Sequence, residues 1–379
     1  MDFELNEEQK MVRDMVRDFA QKEVAPRAAL VDKTEEFPEE NIRQMGELGL
    51  LGLPLPEEYG GGGGDYLSYA IAVEEIARAC GSTALIFAAH VSLGCGPIYS
   101  FGTEEQKRKW LPRLCSGRSL GAFGLTEPEA GSDAGGTRTT AVRDGDEYVL
   151  NGSKMWITSG AIADVVTCTA KTDPAAGTHG ISCFLVEKGM PGFIPGKNEP
   201  KMGLKGSVTS ALSLENCRVP VQNLLGEEGA GFRQMLITLD AGRISIGAMA
   251  LGLGQAALDE AQRYAKQRVQ FGRPIAKFQA IQWMLADMVT EYEAAWLLGY
   301  RASLMKDKGM RYSKEAAMAK LKASEVASYC ADRAIQIHGG YGYTKEFDVE
   351  RYLRDAKITE IYEGTSEVMR MVISANLLK

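Results

Sequence analysis

The chain has 379 residues, 45% of them hydrophobic, so it can bury large cores in two or three structural units. A formal net charge of −7 argues against binding to the phosphate backbone of nucleic acid. The first residues are acidic, without the basic and apolar regions of a signal peptide, and no run of about 18 apolar residues occurs. We therefore expect a globular protein of the cytoplasm, with neither a membrane span nor a nucleic-acid partner.

Seven cysteines and three histidines are scattered along the chain. No Cys-x-x-Cys pair and no Cys/His spacing typical of zinc occurs among them. We expect reduced core cysteines, no bound metal, and chemistry that depends on an organic cofactor or on carboxylates.

Helical periodicity dominates the first third of the chain. Asn6 is suited to an N-cap, and apolar residues follow at helical spacing before Pro26, which is predicted to end the helix. Similar patterns recur to about residue 115. Residues 1–120 are therefore predicted to form an N-terminal α-helical domain.

Strand-like periodicity replaces the helical pattern near residue 121. Asp144-Gly145 and Asn151-Gly152 are hairpin signals. The predicted strands are 139–143, 148–150, 155–158, 165–170, 181–187 and 211–214. Residues 121–230 are therefore predicted to form a middle antiparallel β domain.

Long helical segments return after the glycine-rich residues 226–231. The predicted helices are 235–265, 278–306, 314–337 and a last one after Thr365. Four long helices predict a C-terminal four-helix domain over residues 231–379, arranged as an antiparallel bundle.

Two glycine-containing motifs invite a functional interpretation. Residues 60–64 lack the Gly-Lys-Ser/Thr ending of a P-loop, which favours a surface loop. Ser119 lies in a Gly-x-Ser-x-Gly pattern, but at a helix-to-sheet junction, whereas a nucleophile elbow joins a strand to a helix. A thioester hydrolase that uses Ser119 stays as an alternative.

Glu363 is the best candidate for a buried base. It lies between apolar or aromatic neighbours and a glycine, and poor solvation raises the pKa of a carboxyl group toward neutral pH. The alternative is that Glu363 only complements the dipole of the helix that follows.

Two further segments fit a large ligand that contains a ring. Residues 123–133 are small, polar and glycine-bearing, and can offer backbone N–H groups and hydroxyls. Trp156 and Thr158 are two residues apart and so lie on one face of a strand, where they could cover a ring. Ordinary core packing is the alternative for this pair.

Together these residues resemble the acyl-CoA dehydrogenase flavoprotein family, and the sequence motifs are most similar to those of short-chain, butyryl-type members. The resemblance runs from about residue 3 to the last residue. It is carried by residues 101–107, 123–133, 150–158, 201–203, 224–232, 240–243, 268–272, 336–342 and 354–367.

The resemblance implies the three domains predicted above, with FAD bound between the last two. It assigns flavin contacts to Phe123, Leu125, Thr126, Ser132, Trp156, Thr158, Thr365 and Glu367. It assigns contacts to the rest of the FAD of a neighbouring subunit to Arg268, Gln270, Phe271, Phe278, Gln279, Gln336, Gly339 and Gly340. Such sharing implies a homotetramer built as a dimer of dimers.

The implied reaction converts an acyl-CoA to a trans-2-enoyl-CoA. Glu363 removes the α-proton, the β-hydride passes to FAD, and an electron-transfer flavoprotein receives the electrons. The resemblance assigns substrate contacts to Ser132, Asp240, Arg243, Tyr362 and Gly364.

The sequence leaves open an enoyl-CoA reductase or an acyl-CoA oxidase on the same fold, because the flavin and base serve both directions. A flavin-bearing assembly protein without turnover is a further alternative, and the intact Glu363 counts against it.

His90 departs from what the resemblance leads us to expect in the helix that lines the acyl pocket. It either shapes the far end of a short pocket or is a packed helix residue.

Overall fold

The computed structural model describes residues 4–378. Its α-helices are α1 (Glu7–Phe19), α2 (Ala25–Thr34), α3 (Glu39–Glu47), α4 (Tyr66–Ala79), α5 (Gly81–Ala89), α6 (Gly96–Phe101), α7 (Glu104–Cys115), α8 (Gly231–Gln267), α9 (Gln279–Asp307), α10 (Ser313–His338), α11 (Val349–Lys357) and α12 (Ser366–Leu377). Its strands are β1 (Gly121–Gly124), β2 (Thr140–Asp144), β3 (Glu147–Thr158), β4 (Val165–Lys171), β5 (Ile181–Glu187), β6 (Phe193–Asn198), β7 (Thr209–Pro220), β8 (Leu224–Leu225), β9 (Val269–Gln270) and β10 (Arg273–Pro274).

The first helix begins as predicted and ends later than predicted. The Asn6 side chain accepts from the Gln9 N–H, and the Gln9 side chain accepts from the Asn6 N–H, which completes a capping box. The prediction that Pro26 ends this helix is wrong, because a π-helical turn (Ala20–Val24) connects α1 to α2 and places Pro26 in the first turn of α2. In the π turn the Ala25 N–H donates to the Ala20 carbonyl, five residues back, and the helix continues through Pro26, which has no N–H to donate.

An eight-stranded sheet forms the middle of the chain, with seven strands in the order β6-β7-β3-β2-β4-β5-β8 and β1 paired with β4. The prediction of a purely antiparallel sheet needs correction, because β1 and β2 both pair with β4 in parallel. Parallel pairs require long crossover connections, which leave no local turn signal in the sequence.

One predicted hairpin forms and the other does not. Asp144 pairs with Glu147 across a tight turn in which Gly145 has φ +63°. Asn151-Gly152 is not a turn, since both residues lie inside the single long strand β3, next to a register shift against β7. A Cβ on Gly152 would lie 2.4 Å from Thr139 Oγ1, so this glycine permits a close approach between neighbouring chain segments.

The last third of the chain is a helical bundle, as predicted. Gly247 packs against Lys320 and Gly254 against Ala327, so α8 and α10 run parallel along their whole length. Between them in sequence, α9 runs the opposite way. The short helix α11 was not predicted.

Two helical segments, Gly81–Phe101 and Gly231–Gln267, are long and apolar enough to cross a membrane by length and composition alone. In each, 72% of the most apolar window is buried inside the fold, as in the core helices of globular proteins.

Arg354 joins the three predicted domains. Its guanidinium donates to both carboxylate oxygens of Asp32 at 2.8 Å and to the Met202 carbonyl at 3.3 Å. The neighbouring Asp355 carboxylate accepts from the Leu204 N–H at 2.6 Å. These bonds fix the middle sheet against both helical regions, while the boundaries at residues 120/121 and 230/231 stay a prediction.

Candidate functional site

Glu363 lies in the short connection between α11 and α12. Its backbone is left-handed, with φ +52°, which is uncommon for a residue that carries a Cβ. Its Oε2 atom is buried and has no hydrogen-bond partner among residues 4–378. Burial raises the pKa of Glu363 to about 7, against the opposing effect of the Lys320 and Arg243 charges. A half-ionised, unpartnered carboxylate at neutral pH is suited to accept a proton.

Gly242 on α8 provides the space for this carboxylate. A Cβ at position 242 would lie 2.1 Å from Glu363 Oε2 and 3.3 Å from Leu93 Cδ2. Any other residue at 242 would therefore displace the carboxylate. Sequence reasoning missed Gly242, because a glycine inside a helix indicates a close approach without naming the neighbour.

Two predicted substrate residues, Asp240 and Arg243, contact each other beside Glu363. The Arg243 guanidinium donates to Asp240 Oδ1 at 2.7 Å and to the Glu363 carbonyl at 3.4 Å. Ser313, at the start of α10, donates to the other Asp240 oxygen. The ion pair of neighbouring helical residues is thus present, and it also holds the Glu363 segment.

Lys320 is a second cation at this site, and it was not predicted. Its side chain has 0% exposure, and its ammonium donates to the Gly364 carbonyl at 2.7 Å. The sequence does contain a signal, since Lys320 falls on the apolar stripe of α10 that includes Ala316, Ala323 and Ala327.

The other predicted substrate residues are separated. The Tyr362 hydroxyl donates to Met249 Sδ at 3.4 Å, and Gly364 accepts the Lys320 bond. Ser132 is exposed in the loop that follows β1.

One π-helical turn, His90–Cys95, connects the Glu363 site to strand β1. Leu93 reaches toward Gly242, and a Cβ on Gly94 would lie 2.8 Å from the Gly121 carbonyl. The Gly121 N–H donates to His90 Nδ1 at 3.2 Å, so His90 Nε2 carries the proton and donates to the Leu114 carbonyl at 3.0 Å.

Both ring nitrogens of His90 are therefore hydrogen-bonded to backbone groups. Burial lowers its pKa to about 4, which keeps the ring neutral. These contacts favour a packed helix residue over a residue at the end of the acyl pocket.

The predicted flavin segment after β1 is fastened to β3. The Met155 N–H donates to the Thr126 carbonyl at 2.8 Å. Just beyond, Lys154 Nζ and Glu127 Oε1 form an ion pair at 2.7 Å, with side chains 0% and 5% exposed. Burial alone would raise the pKa of Glu127, but the Lys154 charge and hydrogen bonds outweigh it and hold the value at about 2. Burial lowers the pKa of Lys154, because desolvation outweighs the attraction of Glu127.

Trp156 stands at a bulge in β3. Its backbone has φ +61°, and the register against β7 shifts between Lys154 and Ile157. The Trp156 side chain is 59% exposed, while Ile157 is buried and Thr158 lies on the open side. Trp156 and Thr158 thus face away from the core, which rules out the alternative of ordinary core packing for Trp156.

The remaining predicted flavin residues lie at the far end of α8 and α10. The Tyr264 ring stacks on His338 there, about 33 Å from Gly242 at 1.5 Å per helical residue. The Arg268 guanidinium lies over the Tyr341 ring, and Phe271, 92% exposed, packs edge-on against Phe278. Gln270, Gln279, Gln336, Gly339 and Gly340 are exposed around them. No single copy of the chain brings this cluster to Glu363.

The residues present fit FAD. An exposed indole beside a hydroxyl suits a planar ring, and exposed aromatic, amide and guanidinium groups at the far end suit a nucleotide and its phosphates. Thr365 caps α12, accepting from the Val368 N–H at 3.3 Å, and Glu367 lies exposed in its first turn. Among residues 4–378 no cluster of His, Cys, Asp or Glu could hold a metal ion.

A helical domain, a mixed sheet and a helical bundle, with the unpartnered Glu363 Oε2 and residues that fit FAD, are the features of a flavin-dependent dehydrogenase of three domains. The chain belongs to the acyl-CoA dehydrogenase family. Models of the family's N-terminal, middle and C-terminal domains match residues 6–118, 122–217 and 229–378.

Named relatives cover the whole chain. The short-chain specific acyl-CoA dehydrogenase of Clostridium acetobutylicum is 52% identical over 100% of both chains. The acryloyl-CoA reductase (NADH) of Anaerotignum propionicum is 49% identical over 100% of this chain and 96% of its own.

Solved structures share the fold at similar identity. Butyryl-CoA dehydrogenase from Megasphaera elsdenii superposes with a TM-score of 0.98, 48% identity and full coverage of both chains. A chain in a structure of the electron transferring flavoprotein of Acidaminococcus fermentans superposes with a TM-score of 0.99, 53% identity and full coverage of both.

Proposed function

We propose that this protein is a FAD-dependent dehydrogenase that converts a short-chain acyl-CoA to the trans-2-enoyl-CoA. The observation that carries the proposal is the buried, unpartnered Oε2 of Glu363, placed against Gly242 in a fold shared with butyryl-CoA dehydrogenase. The family uses FAD, and electron-transfer flavoprotein is the proposed electron acceptor.

Glu363 acts as the base. Its carboxylate takes the proton from the α-carbon of the thioester, and we propose that the backbone N–H of Glu363 donates to the thioester oxygen, where negative charge develops. FAD, when bound, supplies the acceptor for the hydride that leaves the β-carbon. Exclusion of water from Oε2 keeps the abstracted proton on the carboxyl group.

We propose that the other predicted substrate residues bind the rest of the thioester. Asp240 and Arg243 are proposed to contact the CoA portion, with Ser132 on the loop above it, while Tyr362 and Gly364 flank the acyl group. We expect the rate to peak at about four to six acyl carbons, since each buried methylene contributes about 0.8 kcal/mol until the pocket is full.

The far-end residues are proposed to complete the FAD site of a neighbouring subunit. Far from Glu363 lie the exposed Gln270, Phe271, Gln279, Gln336, Gly339 and Gly340 and the half-buried Arg268 and Phe278. A homotetramer would bring them to a second copy. All seven cysteines are buried and free, which supports a reducing compartment, the cytoplasm.

An enoyl-CoA reductase is the second candidate, favoured by the 49% identity to acryloyl-CoA reductase. A thioester hydrolase is not supported, because Ser119 is buried, its hydroxyl has no partner among residues 4–378, and both ring nitrogens of the nearby His90 bind backbone.

The proposal is tested by mixing the purified holoenzyme anaerobically with a series of acyl-CoA thioesters. Their acyl chains have even lengths, from about two to about sixteen carbons. Bleaching of the flavin absorbance by butyryl-CoA and formation of the enoyl product support it. Bleaching by NADH together with fast reduction of an enoyl-CoA supports the reductase. Rapid reaction of the reduced enzyme with oxygen supports an oxidase, and thioester cleavage without bleaching would contradict all three.

A further inference from the structure

Two buried cations hold the backbone carbonyls of two consecutive residues at the proposed base. Lys320 Nζ donates to the Gly364 carbonyl at 2.7 Å, and Arg243 Nε donates to the Glu363 carbonyl at 3.4 Å. The two side chains come from different helices, α10 and α8, and are 0% and 5% exposed. Lys320 makes the shorter bond.

The backbone between these carbonyls is strained. Glu363 has φ +52° and Gly364 has φ +104°, both in the left-handed region. A residue with a Cβ keeps such a conformation only when its surroundings impose it. Fixing these two carbonyls fixes the peptide planes that follow Glu363, and these planes hold its Cα, from which the side chain extends.

Lys320 also acts on the Glu363 carboxylate through its charge. Glu363 is the strongest of the charges that favour the protonated form of Lys320, although burial as a whole lowers the pKa of Lys320 to about 8. Several other titratable or charged groups face the Lys320–Glu363 pair. They are Arg243 with its partner Asp240 on α8, Tyr66 and Tyr69 on α4, and Glu360, Tyr362 and Glu367 in the segment around Glu363.

We propose that Lys320 is a positioning residue for α-proton abstraction: its ammonium holds the Gly364 carbonyl, and its charge favours the ionised form of the Glu363 carboxylate. This inference rests on the proposed function and names a second residue of the same site.

The sign of the charge effect follows from the neighbouring groups. Burial raises the pKa of Glu363 to about 7, and the cations oppose that rise. An opposite charge at close range lowers the pKa of a carboxyl by about 1–3 units. Removing the Lys320 charge should therefore move the acid limb of the pH profile upward, so that the base is protonated at higher pH.

Two substitutions separate the hydrogen bond from the charge. Lys320→Gln removes the charge but keeps an N–H donor for the Gly364 carbonyl, whereas Lys320→Met removes both at similar length. Lys322→Met is the control, because Lys322 lies two positions along the same helix and pairs with Glu291 at the surface.

The measurement is exchange of the α-protons of 3-thiabutyryl-CoA with D2O, catalysed by the holoenzyme and followed by mass spectrometry across pH. The sulfur replaces the β-carbon, so no hydride can leave and exchange reports the base alone. Bound FAD and thermal unfolding are measured for each variant.

We expect both Lys320 variants to keep FAD and to show an acid limb at least about one pH unit higher. Lys320→Met should also lose about tenfold to a hundredfold of the pH-independent rate, while Lys320→Gln stays near the unaltered enzyme. Lys322→Met should change neither quantity. If Lys320→Met does not fold, the position of the acid limb in the pH profile of Lys320→Gln tests the proposal.

An unshifted limb in a folded, flavin-bound Lys320→Gln would overturn the role of Lys320 and leave the dehydrogenase proposal standing. Absence of exchange by the unaltered enzyme at every pH would overturn both.

Discussion

The two ends of the parallel helices α8 and α10 are built in opposite ways. At one end Gly242, Arg243 and Lys320 enclose Glu363, and every charge has a partner on the same chain except the Oε2 atom. At the other end Phe271 is exposed and Arg268 is half-buried over the Tyr341 ring, beside the exposed Gly339 and Gly340. The first end is complete within one copy of the chain, and the second presents binding groups that nothing on its own chain covers.

We therefore expect proton transfer and assembly to be separable in this molecule. A change at the enclosed end should alter chemistry while FAD and oligomer remain. A change at the open end should alter FAD binding and assembly together.

The largest expected effect comes from Glu363→Gln. The amide is nearly isosteric but cannot accept the α-proton, so turnover should fall at least about a thousandfold while FAD stays bound. Stopped-flow flavin reduction measures the loss. Glu325→Gln is the matched control, because Glu325 pairs with Arg370 at the surface. Turnover at the unaltered level in Glu363→Gln would place the base elsewhere.

Gly242→Ala should reduce turnover without loss of stability. The new Cβ would lie 2.1 Å from Glu363 Oε2 and push the carboxylate away, and a displaced base of this kind costs about a hundredfold in rate. Alanine favours a helix over glycine by about 1 kcal/mol, so the unfolding temperature should hold or rise.

Gly247→Ala is the control for Gly242→Ala, since its Cβ would lie in ordinary contact, 3.6 Å from the nearest Lys320 atoms. Equal turnover in both alanine variants would show that the carboxylate does not need the space at 242.

Arg268→Ala tests the open end. Loss of a charge-assisted hydrogen bond to a phosphate weakens binding by about 10-fold to 100-fold, and assembly should weaken with it. Flavin fluorescence titration and sedimentation velocity measure the two losses. Arg263→Ala, near the same end of α8 but paired with Glu260, should leave both largely intact. A monomer of Arg268→Ala that binds FAD tightly would contradict the shared site.

The smallest expected effect is that of His90→Ala. It leaves the Gly121 N–H and the Leu114 carbonyl without partners, which should lower the free energy of unfolding by about 1–3 kcal/mol. The acyl-chain preference should not change. A shift of the acyl-chain preference by one or two carbons, with the free energy of unfolding unchanged, would show that His90 lines the acyl pocket.

The pH dependence of stability follows from the lowered pKa of His90, about 4. The unfolded chain, with an ordinary His pKa near 6.5, binds the proton more tightly in this range. Stability should therefore fall as the pH drops from about 6.5 toward 4, and His90→Ala should remove that part of the dependence. Chemical unfolding at a series of pH values checks it.

Local sequence patterns were enough to predict the order of helices and strands, the N-cap Asn6, the start of the last helix after Thr365, and Glu363 as the candidate base. These features depend on residues a few positions apart, through helical periodicity, turn chemistry and the apolar neighbours of one carboxyl group. Family resemblance added the division of the flavin contacts between two subunits, which local pattern could not supply.

Only the tertiary structure decided which distant groups meet. Pro26 continues a helix because a π turn precedes it, and Asn151-Gly152 stays in a strand because β7 pairs across it. Lys320 reaches the Glu363 segment because α10 packs beside α8, and His90 binds Gly121 because a π turn faces β1. Hydrogen bonds and charges act over a few ångströms in space, whatever the separation in sequence, so the partners that set the pKa of Glu363 follow from packing alone.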